Sequence, residues 1–127
     1  MASAWWNLTL RFLLELAALA GFGLAGWRLG DSSFWRWPLA LSLPVTAAVL
    51  WGAFAVPGDP SRSGAAPIPV SGGVRLLLEL LVFCGGATAY WIAGHNVAAL
   101  VLAILVAIHY ALSVDRIDWL LRQQTPQ

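Results

Sequence analysis

Residues 10–27 read LRFLLELAALAGFGLAGW, an apolar run interrupted only by an arginine and a glutamate four positions apart. Crossing the hydrocarbon of a bilayer as a helix takes about 20 mostly apolar residues, so this stretch with its flanks is a candidate span. Residues 74–91, VRLLLELLVFCGGATAYW, repeat its pattern 64 positions later. In that register Arg11 falls on Arg75, Glu15 on Glu79, Gly21 on Gly85 and Trp27 on Trp91, with leucines matching between them. Leucine coincidences are common in apolar sequence; Arg, Glu, Gly and Trp in one register are not. We read the pair as the first helices of two duplicated helical hairpins. The second helix of each unit matches much less well.

Working outward, four segments reach spanning length: residues 8–27, 37–56, 74–92 and 96–114. Backbone groups in lipid must be satisfied within the structure, which leaves helices or a closed barrel. Barrel strands alternate apolar and polar residues, whereas residues 97–107 are apolar throughout, so helices are expected. The expected fold class is therefore all-α integral membrane, a four-transmembrane-helix bundle in one domain over residues 1–127. Each hairpin contains an even number of spans, so both copies enter the membrane in the same orientation. They are parallel repeats related by an axis along the membrane normal.

Composition agrees. Hydrophobic residues make up 60% of the 127 and charged residues 10%, against about 25% charged in soluble domains. Such a chain cannot cover its apolar surface with polar side chains, and the lipid bilayer is its expected partner. A net charge of +1 offers no field for nucleic acid. The first apolar stretch runs longer than a leader's core and contains Glu15, so that helix is expected to be retained. Cys84 stands alone in an apolar run, where a buried inert thiol is expected.

The connections differ in length. Residues 30–33 make a short turn, and Gly94 with His95 a tighter one. Residues 57–73 form a loop holding four of the seven prolines, with no secondary structure expected. Pro44 should bend the second helix. Four spans place both termini and the long loop on one side, with Arg11, Arg62, Arg75, Arg116 and Arg122. The other side has only Arg28 and Arg36. This bias puts both termini in the cytoplasm. The tryptophans fit interfacial belts, with Trp5, Trp6, Trp51 and Trp119 inside and Trp27, Trp35, Trp37 and Trp91 outside.

Arg11 with Glu15, and Arg75 with Glu79, each share a helix face by their four-residue spacing. The arginines can snorkel toward the interface; the deeper glutamates should face the bundle interior. Small residues continue that face, Ala18 and Ala25 on the first helix and Gly86, Ala89 and Ala93 on the third, permitting close helix approach. A polar intramembrane cluster follows, with each glutamate touching Arg11, Arg75 or both. Two roles are open to it. The four charges can neutralise one another and fix hairpin packing, which their equal numbers favour. Alternatively, Glu15 and Glu79 can couple protons or cations in a small oligomeric transporter or channel. His109 and Tyr110 form a secondary polar site on the fourth helix, with His109 either hydrogen-bonded in the bundle or acting as a proton relay or haem ligand. Residues 115–122 look like a short amphipathic extension of the fourth helix along the inner interface.

No catalytic set, phosphate loop or dinucleotide fingerprint appears, and no metal ligand spacing, so neither an enzyme nor a bound metal or cofactor is expected.

Arg11-Phe12 with Glu15-Leu16, then Pro44, Trp51-Gly52, Phe54 and Pro57, resemble the first half of the YrdB-like family. Arg75-Leu76 with Glu79-Leu80, Val82-Phe83 and Gly94 resemble its second half. The sequence departs from that pattern at Gly58 and Asp59, in a less basic loop, and at His109-Tyr110, where the family tends toward Asn-Arg. The resemblance implies a small multi-pass protein of the bacterial cytoplasmic membrane and no particular activity. The expected role is a structural or accessory bundle that packs against itself or another membrane protein.

Overall fold

The computed structural model of the protein describes residues 4–57, 59 and 67–123. Arg62 and Gly58, used above for orientation and loop character, lie outside the described residues. Among the described residues there are five helices: α1 (Trp5–Leu29), α2 (Ser33–Ala53), α3 (Gly72–Ile92), α4 (Asn96–Ala111) and α5 (Val114–Arg122). α1 and α3 are long and apolar enough to cross a membrane; α4 with α5 would count as a third span if the bent pair is taken together.

α1, α2 and α3 begin before the expected segments because hydropathy marks the lipid-soluble part of a helix and not its capped start. α1 begins at Trp5, three residues before the expected start. α2 begins at Ser33, where the Ser32 carbonyl accepts from the amides of Trp35 and Arg36 at 3.0 and 2.9 Å. It continues through Pro38 and Pro44 and ends at Ala53, short of the expected residue 56. The cause is a two-residue strand, β1 (Phe54–Ala55), which pairs in parallel with β2 (Ile68–Pro69). The 57–73 connection thus has a pinned base where no secondary structure was expected. α3 starts at Gly72, with the Ser71 hydroxyl accepting from Val74 N at 3.4 Å, as a helix cap should.

The largest departure is at the C-terminus. α4 stops at Ala111, and α5 turns away from it by 69° instead of extending it. At about 1.5 Å per residue, the 16-residue α4 is about 24 Å long. α5 folds back onto the start of α3, where the amide of Gly72 donates to the carbonyl of Gln123. A Cβ on Gly72 would overlap the backbone of Leu120, so only glycine admits this crossing.

α1 packs along α2 and α3, and α3 along α4. Gly86 lies against Ala18: an added Cβ would stand 2.7 Å from the Ala18 Cβ. Leu14, Ala18, Val82, Phe83, Leu102, Val106 and Tyr110 make the apolar core around this contact. Gly94, at φ 87°, closes the α3–α4 turn, and the His95 amide there donates to Tyr90 O at 2.9 Å. Cys84 is exposed, contrary to the expected buried thiol, because it sits on the outer face of α3. Its neighbours on the exterior, Leu77, Leu80, Leu81 and Trp91, are exposed apolar side chains too. In water such a surface would be unfavourable; against acyl chains it is solvated.

Candidate functional site: a buried guanidinium–carboxylate cluster

Packing brings the N-terminal ends of α1 and α3 together with the C-terminal ends of α2 and α4, and polar side chains meet there. Glu79 is at the centre with no exposed surface. Its Oε1 accepts from Arg11 Nη1 at 3.1 Å and from the Tyr110 hydroxyl at 2.7 Å. Its Oε2 accepts from Arg75 Nε at 2.9 Å and Arg116 Nη2 at 2.5 Å, and pairs with Arg11 Nη2 at 2.8 Å. One carboxylate therefore holds three guanidinium groups and a phenol. A buried charge is tolerated only when paired and hydrogen-bonded, and these contacts meet both conditions.

The arginines divide their donors among several partners. Arg75 Nη1 donates to the carbonyls of Trp51 and Phe54 at 2.5 and 2.7 Å, acceptors at the end of α2 that lack partners within the helix. Its Cζ is 4.5 Å from the Trp51 ring centroid, and the Arg11 Cζ is 5.0 Å from it, both within cation–π range. Trp51 is thus part of the cluster. Arg116 grips Asp59 with two parallel bonds, Nη1 to Oδ1 at 2.7 Å and Nη2 to Oδ2 at 3.0 Å. Asp59, Arg116, Arg75 and Arg11 are all at least nine-tenths buried, so the arginines do not snorkel to the interface as the sequence suggested.

Glu15 is placed differently. Its closest cation is Arg11, with Nε 3.5 Å from Oε1, and its side chain keeps 24% of its surface exposed. Neither Arg75 nor Arg116 forms an ion pair with it. It lines a cleft of about 180 Å³ with Phe12, Leu16, Leu19, Trp51 and Val82.

His109 and Tyr110 part company. Tyr110 serves Glu79. His109 joins a separate chain in which Asn7 Nδ2 donates to Ser113 Oγ at 2.8 Å and Asn7 Oδ1 faces His109 Nδ1 at 2.9 Å. With its amide nitrogen committed to Ser113, Asn7 presents an acceptor to the ring, so Nδ1 carries the proton. His109 Nε2 is buried with no hydrogen-bond partner among the described residues.

Arg116, Asp59 and Asn7 were not anticipated as members. Arg116 belongs to a segment whose amphipathic pattern reads as solvated, and Asp59 to a Pro-rich loop. Asn7 carried a signal only as a polar residue within helical reach of Arg11, one turn away. Among the described residues, no group of three or more His, Cys, Asp or Glu is arranged to hold a metal ion.

Residues 9–107 match the model of a family described as a protein of unknown function (DUF2568). The uncharacterized protein YrdB of Bacillus subtilis (strain 168) is 41% identical over 117 residues, covering 92% of this chain and 94% of that one. No solved structure matches.

Proposed function

The chain belongs to this family of unknown function, and we propose that it is a non-catalytic multi-pass protein of the bacterial cytoplasmic membrane, a structural or accessory bundle. In this reading four helices cross as two parallel-repeated hairpins and the Glu79 cluster clamps their cytoplasmic ends. One observation carries it: Glu79 has no exposed surface and is held by three arginines and Tyr110. A carboxylate that loads and releases protons or cations must meet water and exchange partners. This one is locked by contacts from α1, α3, α4 and α5, which ties four elements together.

Four crossings are supported by which helix ends meet. Contacts join the start of α1 and of α3 to the end of α2 and of α4, the order that successive antiparallel helices produce. α2 has 21 residues, about 31 Å, and exposes Phe34, Trp35, Trp37, Leu41, Val45 and Val49, a face suited to lipid or another membrane protein. Arg11, Arg75, Arg116 and Arg122 gather at the cluster end, with Arg28 and Arg36 at the other, which favours cytoplasmic termini.

Glu79→Gln keeps the side chain's size and removes its charge. If the cluster is a clamp, the variant loses folded yield and thermal stability in detergent. A variant that folds like the parent yet loses a proton or cation flux in liposomes would overturn this reading. For topology, a fluorescent protein fused to the C-terminus should light the cells, and alkaline phosphatase inserted after Asp31 should be active. The reverse pattern would refute cytoplasmic termini.

A further inference from the structure

The cleft beside Glu15 is a different environment from the clamp. Glu15 lies ten residues into α1, about 15 Å along its axis, below the reach of headgroups if α1 spans the bilayer. Among the described residues its carboxylate is the only charged group lining the cleft; the Trp51 side chain donates a hydrogen bond to it, and Phe12, Leu16, Leu19 and Val82 make an apolar wall with Ala48 at its side. Its one ion-pair partner among the described residues, Arg11, gives both Nη groups to Glu79 and reaches Glu15 with Nε alone, at 3.5 Å. Beyond the Trp51 hydrogen bond and that long contact, lipid on the open side offers the carboxylate no further partner.

The lining chooses among occupants. A hard metal ion needs six or more oxygen ligands, and hydrocarbon supplies none. A second copy of the chain has no free guanidinium to present at this level among the described residues. Arg11, Arg75 and Arg116 are buried in the clamp, Arg122 is paired with Asp118 on α5 beside the start of α3, and Arg28 and Arg36 lie at the other end of the helices. What fits a partly exposed carboxylate in a mostly apolar cleft is a cation that carries its own apolar body. A dry cavity of about 150 Å³ takes up benzene, so the roughly 180 Å³ here suits one ring or a short alkyl chain. We propose that the cleft between α1, α2 and α3 binds a membrane-partitioning organic ammonium ion, its nitrogen on Glu15 and its apolar body against Phe12, Leu19 and Trp51.

The test is equilibrium dialysis of radiolabelled 2-phenylethylammonium against the full chain in neutral maltoside micelles, with protein-free micelles as background and uncharged 2-phenylethanol as the matched control. The expected result is saturable binding of one ammonium per chain, with only background partitioning of the alcohol. Glu15→Gln should weaken binding at least tenfold while the circular dichroism spectrum is unchanged. Should Glu15→Gln fail to fold, Ala48→Phe tests the same site by filling the cleft without touching the carboxylate, and it should abolish binding. The proposal is overturned if the ammonium shows no saturable binding, or if the alcohol saturates equally. Full affinity in folded Glu15→Gln or Ala48→Phe would overturn it as well. Displacement by phosphatidylethanolamine and not by phosphatidylcholine would assign the cleft to a lipid amine, and so overturn the free-ammonium assignment.

Discussion

Arg11 with Glu15 on α1 and Arg75 with Glu79 on α3 have the same residues at the same spacing, yet they end in opposite environments. Glu79 has no exposed surface and three guanidinium partners; Glu15 keeps about a quarter of its side chain exposed and has one cation, at 3.5 Å. Helix geometry treats the two motifs alike, so the difference must come from what each hairpin brings next. At the 64-residue offset, Tyr110 and Arg116, which serve Glu79, fall on Thr46 and Gly52. The first hairpin has neither a phenol nor a guanidinium at those places to offer Glu15. Arg11 then turns its Nη groups toward the better-provided carboxylate on the neighbouring helix. A repeated local pattern thus sets up two candidate sites, and the chain beyond it decides which becomes a clamp.

Removing the two carboxylates tests this contrast most strongly. Glu79→Ala leaves three buried guanidinium groups short of their shared counter-charge, and breaking a buried pair costs about 3–5 kcal/mol. Glu15→Ala removes one long, partly exposed pair and should cost less than about 1 kcal/mol. Thermal unfolding of both variants in the same detergent measures the difference directly. Equal losses would mean that the two motifs are energetically equivalent and the asymmetry is unimportant.

Next in size is Arg116→Gln, which addresses the reason for the asymmetry. It removes two bonds to Asp59 and one to Glu79, while Glu79 keeps Arg11, Arg75 and Tyr110. Breaking a buried pair costs about 3–5 kcal/mol, and the glutamine amide can still donate one bond, so a loss of roughly 2–3 kcal/mol is expected. Hydrogen exchange should rise selectively in the α5 amides, since Arg116 is the link from α5 to the cluster. If exchange rises uniformly, α5 is not a separable strut.

These two tests also mark what was legible in the sequence. Charged residues inside apolar helices announce themselves, so Arg11, Glu15, Arg75 and Glu79 could be found, and the four-residue spacing gave each pair a common face. The small residues Ala18, Gly86 and Ala89 likewise pointed to the α1–α3 contact. Periodicity carries no information about a turn between helices, however, and the 69° break after α4 is what swings Arg116 inward. On a straight continuation of α4 its charge would have read correctly as interfacial. Asp59 depends on that same turn. The role of Trp51 in the cluster is hidden for a related reason: at a helix end an indole suits a headgroup belt or an arginine stack equally well, and only the tertiary placement of Arg11 and Arg75 reveals the stack.

The smallest effect concerns Gly21 and Gly85, which also stand 64 residues apart and meet different neighbours. A Cβ on Gly21 would lie 2.9 Å from the carbonyl oxygen of Gly86 and 2.8 Å from the ring of Tyr90. The carbonyl belongs to the α3 backbone and cannot yield alone, and the Tyr90 hydroxyl is tied to Ala17 O at 2.6 Å. Overpacking of this kind costs about 1–3 kcal/mol, against which alanine recovers up to about 1 kcal/mol of helix preference. A Cβ on Gly85 would meet only the tip of the Phe22 ring, at 3.0 Å, a flexible end on a half-buried side chain. Gly21→Ala should therefore lower the thermal midpoint measurably, and Gly85→Ala should leave it unchanged or raise it slightly. The opposite order would require the α1–α3 approach to be looser at Gly21 than at Gly85. It would then be packing, and not the charged partners alone, that fails to distinguish the two halves.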